Sequence, residues 1–299
     1  MTSLENLSKQ LAQCYYHACI AELQAIKPGN VHIFADGHRM SIDDFMQSAT
    51  VSAPLMSKYS SGVGERIYES VSATHNAVNC NTNLGIILLI SPLIQALLHR
   101  FQSDNALQST SVFKPTLAQL KIHLIQVLES LDVNDAKYVA SAIRLAKPAG
   151  LGSVAIYDVN APITDSLYTL MQAADSRDHI AYQYTHHFET IIDVALPIYE
   201  AALKRYQNEA WAVTSLYLNI LSQVPDSHVA RKYGQTFARA LMLEAKPFYN
   251  DFAHASNPKT QLAMLLTWDT ALKERQINPG TTADLTVATI FLASILDVT

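Results

Sequence analysis

Three cysteines among 299 residues, Cys14, Cys19 and Cys80, are odd in number and irregularly spaced, so they outline neither a disulfide framework nor, without a CxxC pair, a zinc site. They read as reduced core residues. Charge is scarce as well, at 16% of residues against the usual quarter or so, and it sums to -5. A general nucleic-acid binder needs a basic footprint to displace counterions from phosphates, so that class is excluded. The neutral surface implied by so few ionised residues suits partner contacts, and a homo-oligomer is compatible with it. Long hydrophobic runs are also missing: the most apolar stretch, Ile86 to Leu98, is interrupted by Ser91 and Pro92 and falls short of a bilayer span. No basic-apolar-small leader opens the chain, and the expectation is a cytoplasmic protein with no membrane partner.

The familiar catalytic fingerprints are absent too. There is no GxxxxGK[ST] phosphate loop, no HExxH and no GxSxG, and Gly150-Leu151-Gly152 lacks the third glycine and preceding strand of a dinucleotide site. The pair His186-His187 has no metal-ligand spacing and reads as partly exposed helix residues.

What is present is helical periodicity. Leu4, Leu7, Leu11, Cys14, Ala18, Ala21 and Ala25 draw one apolar stripe on a helix that must end before Pro28. The same three- and four-residue steps recur at Leu117-Leu120-Leu124-Leu128-Leu131, Ile191-Val194-Ile198 and Leu285-Thr289-Leu292-Leu296, with no sustained period-two alternation. An all-α fold follows, as one compact multi-helix domain over residues 1–299. The polar stretches Gln102 to Pro115 and Lys147 to Thr164 read as loops, the second an ordered one over the core. Val154-Ala155-Ile156-Tyr157 is too isolated for a sheet.

Polar, Gly-bearing corners stand beside these helices: Lys27-Pro28-Gly29-Asn30-Val31-His32, Asn81-Thr82-Asn83-Leu84-Gly85, Lys147-Pro148-Ala149-Gly150 and Asn278-Pro279-Gly280-Thr281-Thr282-Ala283-Asp284. Singly, each has a structural explanation. Thr281 reads as a helix cap with Asp284 as an acid favouring the helix start, Asp43 and Asp44 as helix-opening acids, and Lys27 as a cation at a helix end. Together, Glu22, Asp43, Asp44 and Asp284 supply carboxylates, while Lys27, Lys147, Arg231 and Lys232 supply cations. Gly29, Asn30, His32, Asn81, Thr82, Thr281 and Thr282 add polar groups at helix ends. A polyphosphate bound through Mg²⁺ needs these three kinds of group, with Glu22 and Asp284 as candidate metal ligands.

In this order the corners resemble those of the triphosphoribosyl-dephospho-CoA synthases of the citrate and malonate decarboxylase pathways, over most of the chain. That family carries a Glu followed by a PKPG-V corner, a Met/Phe-Ser-Ala helix, an N-T-x-x-G helix start and an S-P-G-G-S-A-D-L segment. Here Glu22, Lys27 to Val31, Phe45 with Ser48-Ala49, Asn81 to Gly85 and Asn278 to Leu285 correspond. The resemblance implies an all-α transferase in which ATP loses adenine and its triphosphoribosyl group passes to the ribose 2′-hydroxyl of 3′-dephospho-CoA. It also implies that Glu22, Asp284 and one of Asp43 or Asp44 serve the reacting ribose.

This chain departs from the family at Asn83-Leu84, where His-Lys is usual, and its corner wording is closer to the branch in archaea and methylotrophs. For that branch the resemblance implies phosphoribosylpyrophosphate as donor and a pterin precursor as acceptor in tetrahydromethanopterin biosynthesis. A non-catalytic helical protein that binds a nucleotide or another protein is the alternative from a different class.

Overall fold

The computed structural model describes residues 3–37, 40–103, 115–148 and 161–296. The loop expectations over 104–114 and 149–160, including Gly150-Leu151-Gly152 and Val154 to Tyr157, lie outside the described residues. The first half of the chain forms α1 (Ser3–Leu23), α2 (Ile42–Met56), α3 (Val63–Val78), α4 (Leu84–Ser103), α5 (Leu117–Ser130), α6 (Val133–Ala146) and α7 (Leu167–Ala174). The second half forms α8 (His179–Thr185), a π-helical turn Thr190–Ala195, α9 (Leu196–Tyr206), α10 (Glu209–Gln223) and α11 (Ser227–Tyr233). It continues with α12 (Gln235–His254), a 3₁₀ turn Pro258–Gln261, α13 (Leu262–Glu274) and α14 (Gly280–Leu296). The fold is all-α: the described residues hold no strand, and their β-like features are two isolated bridges in the loop after α1, His32 with Ala35 and Gly37 with Met40.

Two helices organise the rest. In α4, 15 of 20 residues are buried, and in α14, 13 of 17. A helix apolar on all sides belongs inside a protein, and these two pack against each other with α1 on α14 and α5 on α4. Around them α2, α3 and α6 stack in sequence against α1, while α9, α10 and α12 form the other flank. Apart from the main core, Tyr217, Leu218 and Leu221 of α10 join Leu241 and Phe252 of α12 and Leu265 and Trp268 of α13 in a second cluster.

Three sequence expectations need correction. The apolar run ending at Leu98 is not broken at Pro92, because α4 continues through it to Ser103; by length and composition that helix could cross a membrane, yet 83% of its apolar window is buried within the fold. The stripe Ile191-Val194-Ile198 fails at Val194, which is 47% exposed, because the π-helical turn widens the winding and rotates that residue outward. His186 and His187 are exposed as expected, but they leave the helix at the end of α8, where His187 and Phe188 take positive φ of 50° and 62°.

Pro92 has no N–H, so the Leu88 carbonyl four residues earlier lacks its helical donor. The Tyr184 hydroxyl of α8 donates to that carbonyl at 2.7 Å in the buried interior. Tyr184→Phe is therefore expected to cost about 1–3 kcal/mol in urea denaturation, the penalty of a buried acceptor left unpaired. In a Pro92→Ala background, which restores the helical N–H, the same substitution should cost markedly less. Equal costs in both backgrounds would show that the hydroxyl does not serve this carbonyl.

Candidate active site

The first corner is a β-turn. Pro28 sets φ at its second position, Gly29 takes φ of +85° at the third, and the Asn30 N–H donates to the Lys27 carbonyl at 2.9 Å. Its outer side is pinned: the Gly29 N–H donates to Asp269 Oδ1 at 2.8 Å and the Tyr217 hydroxyl to the Pro28 carbonyl at 2.9 Å. A β-carbon on Gly29 would lie 2.9 Å from Pro279 Cδ, so this corner and the one before α14 abut.

His32 belongs to the same brace. Its Nδ1 accepts from the Phe34 N–H at 3.3 Å, which leaves the hydrogen on Nε2, 3.2 Å from Asp269 Oδ2. Burial pushes the His32 imidazole below its usual range. Burial alone would raise Asp269, but the close approach of His32 and the hydrogen bond from Lys273 outweigh it and hold that carboxylate low.

The inner side of the corner carries Lys27. Its ammonium, wholly buried, donates to the Glu22 carboxylate at the end of α1 and to Asn30 Oδ1 at 3.2 Å, and Asn30 Nδ2 donates to Asn278 Oδ1 at 2.9 Å. Burial raises Glu22 and lowers Lys27, each opposed by the other's charge.

At the far end of the chain, α14 begins at Gly280, one residue before the Thr281 cap expected from sequence, and no acidic residue lies in its first turn. The cap comes from elsewhere: Asp226, which caps α11 through Val229 N–H at 2.9 Å, also accepts from Thr282 N–H and Thr282 Oγ1, both at 2.8 Å. Asp284 is thus not a helix-start acid. It lies more than a turn inside α14, against Gly85 of α4, where a β-carbon would overlap its carboxylate. No hydrogen-bond partner for it is found among the described residues. Burial pushes this carboxyl well above the ordinary carboxylate range; the charges of Asp226, Glu22 and Asp178 add to the effect and Arg231 opposes it.

Glu22 and Asp284 line one cavity of about 180 Å³, with Asn30, Asn81, Thr82, Arg231, Asp178, His228 and Asn278 also on its polar side. The opposite wall is apolar, built by Leu84, Ile86, Leu88, Ile143, Ile180 and Phe45. Arg231 reaches Asp178 Oδ2 at 2.6 Å, and its buried Nε has no hydrogen-bond partner among the described residues. Asn81 Oδ1 accepts from the Leu84 N–H at 3.2 Å, and Thr82 Oγ1 donates to Ser48 at 2.6 Å, so both also serve the start of α4. Leu84, only 7% exposed, is at once core and cavity wall.

Several residues singled out from sequence stand apart from this cavity. Asp43 is exposed, and Asp44 closes a capping box with Ser41. Lys147 is the exposed left-handed cap of α6, although Pro148 beside it reaches the wall. Lys232 donates to the Gln276 carbonyl at 3.2 Å. Thr281 and Thr282 are buried in the α11–α14 junction, and Gly29 and His32 in the brace around Asp269. Conversely, Asp178, His228 and Asn278 line the cavity without having been marked as site residues; Asp178 was recognisable only as an acid before a helix. Among the described residues no group of three or more His, Cys, Asp or Glu is arranged to hold a metal ion, so Glu22 and Asp284 have no third ligand beside them.

A family model described as CitG: ATP:dephospho-CoA triphosphoribosyl transferase matches residues 8–298. A search of curated proteins gives no match. Among solved structures, the chain is similar to a crystal structure from Archaeoglobus fulgidus provisionally assigned as a triphosphoribosyl-dephospho-CoA synthase. The likeness has a TM-score of 0.61 at 22% identity, covering 83% of this chain and 97% of that one.

The raised Asp284 carboxyl has a consequence for stability. The folded chain keeps this proton over a pH range in which the unfolded chain has lost it. Its contribution to stability therefore falls as pH rises from the unfolded carboxylate value, about 4, toward the raised folded one. Asp284→Asn removes that cost, and the melting temperature should rise at pH 7 by about 2 °C or more, roughly what 1 kcal/mol produces in a large domain. The gain should vanish at pH 4 and below. A variant less stable than the parent at pH 7 would show that the carboxylate is a structural partner.

Proposed function

The chain belongs to the ATP:dephospho-CoA triphosphoribosyl transferase family, and on that premise we propose that the cavity between α1, α4, α8, α11 and α14 is where the triphosphoribosyl group moves from ATP to dephospho-CoA. One observation carries the placement: the unpartnered Asp284 carboxyl, the Lys27-held Glu22 and the guanidinium of Arg231 converge there from opposite ends of the chain.

The reaction breaks the bond between ribose C1′ and the adenine nitrogen, with the electron pair leaving on adenine, and forms a bond from C1′ to an acceptor hydroxyl oxygen. Adenine leaves more readily if its nitrogens gain a proton, and Asp284, holding its own proton by burial, is the donor in this reading. The hydroxyl proton goes to Glu22, whose buried carboxylate is more basic than an exposed one and carries negative charge toward the positive ribose of the transition state. In this reading the Arg231 guanidinium on the cavity wall meets phosphate, and the amides of Asn30, Asn81 and Asn278 orient polar groups of the two substrates. The apolar wall suits a heterocyclic base. An ATP donor supports a cytoplasmic setting in this reading.

Mg²⁺ is best read as a companion of the donor. The described residues build no three-ligand centre, and the cavity presents three carboxyl groups, Glu22, Asp178 and Asp284, against one guanidinium. Bound to the phosphate oxygens, the ion would relieve their repulsion by the ionised carboxylates Glu22 and Asp178. Calorimetric titration should give at least about tenfold weaker binding of ATP with chelator than with Mg²⁺, the loss expected when charge repulsion of roughly 1.4 kcal/mol is unscreened. Equal affinities would remove the ion from the account.

The activity itself is tested by incubating the protein with ATP and dephospho-CoA, following free adenine, and weighing the product by mass spectrometry. One adenine per triphosphoribosyl adduct is expected. Parallel reactions with phosphoribosylpyrophosphate and a pterin acceptor complete the comparison. Turnover only with that pair would overturn the choice of substrates, and no turnover with any pair would return the chain to the non-catalytic class.

A further inference from the structure

Asp226 is 1% exposed and lies outside the cavity, yet it is tied to both helices that supply the cavity's charged groups. One oxygen accepts from the Val229 N–H of α11, at 2.9 Å. The other accepts from the Thr282 N–H and hydroxyl of α14, at 2.8 Å each. A return bond runs from the His228 N–H to Thr281 Oγ1 at 3.2 Å, so the two helix starts cap each other. From this junction α11 carries His228 and Arg231 to the cavity, and α14 carries Asp284. Every donor to Asp226 is uncharged, so none of its hydrogen bonds neutralises the carboxylate.

We propose that Asp226 is the positioning residue of this site, a buried carboxylate that sets where Arg231 and Asp284 stand relative to each other and whose charge acts on Asp284. The geometry leaves little alternative adjustment, because one side chain closes the first turns of both helices and a shift of either breaks a bond to it. The titratable or charged groups around Asp284 are Glu22 from α1 with Lys27 paired to it, Asp178 from the cap of α8, Asp226 from the cap of α11, and His228 and Arg231 from α11. After burial, Asp226 is the largest influence among them and favours the protonated form.

This inference rests on the reading of Asp284 as proton donor. The test is the pH dependence of kcat/KM for adenine release, with ATP and dephospho-CoA, in three full-length variants. Asp226→Asn removes the charge while keeping an acceptor oxygen. The limb of the profile at high pH, where the donor loses its proton, should move to lower pH, with a rate loss at neutral pH on the order of tenfold or more.

Thr282→Val removes one of the three hydrogen bonds and keeps the charge, so it should lower kcat severalfold with that limb unmoved. Asp284→Asn should abolish the limb and cost on the order of a hundredfold. If Asp284→Asn matches the parent in rate and profile, the reading of Asp284 falls. If Asp284→Asn behaves as expected but the Asp226→Asn limb stays in place, the action of the Asp226 charge is overturned. If Thr282→Val turns over at the parental rate, the positioning role is overturned, and this arm decides it even should Asp226→Asn fail to fold.

Discussion

A carboxyl group held at the meeting point of two buried helices, without a hydrogen-bond partner among the described residues, is the constraint around which this protein is built. Asp284 and Gly85 face each other where α14 passes α4, and the contact is close enough that only a residue without a side chain fits opposite the acid. Burying such a group disfavours its charge, and the fold tolerates it because the two helices are otherwise apolar on nearly every side. The surrounding polar groups follow from it. Glu22 is paired with Lys27, Asp178 with Arg231, and Asp226 with two helix starts, whereas no such partner faces Asp284 among the described residues.

Helices were legible in the sequence wherever one face stayed buried over several turns. In α5, Leu120, Leu124 and Leu128 are all buried, and in α1 so are Leu7, Leu11, Ala18 and Ala21, although the helix stops at Leu23 and Ala25 is buried beyond it. Legibility ended where local winding or missing hydrogen bonds were corrected from a distance. The π-helical turn turned Val194 outward, and a tyrosine from another helix let α4 run on through Pro92. Neither effect has a signal in nearby sequence.

The site divides along the same line. Motifs with chain-local geometry located Glu22, Asn30, Asn81 and Asp284, which share the cavity, and the family resemblance was needed to group them. Residue type alone misdirected where polar residues serve helix starts: Asp44 spends its carboxylate on Ser41, and Thr282 donates its hydroxyl to Asp226. Asp269, which holds both Gly29 and His32, is an unmarked acid within α13 and becomes important only through a contact spanning 240 positions. The junction of α11 and α14 was unreadable for the same reason, since its cap lies 56 residues from the helix start it serves.

Because Glu22 lies near the end of α1 and Asp284 in α14, the cavity exists only after segments 262 residues apart have come together. The loop that must close between them is long, and its entropic cost grows only slowly with length, so the demand is chiefly one of timing. A chain emerging during synthesis can complete the α2–α3–α6 stack well before the residues after position 280 appear, but it can hold no competent acid pair. If the proposed site is the right one, an unfinished or cleaved chain is inert toward a nucleotide. The cavity closes only when α14 enters the core.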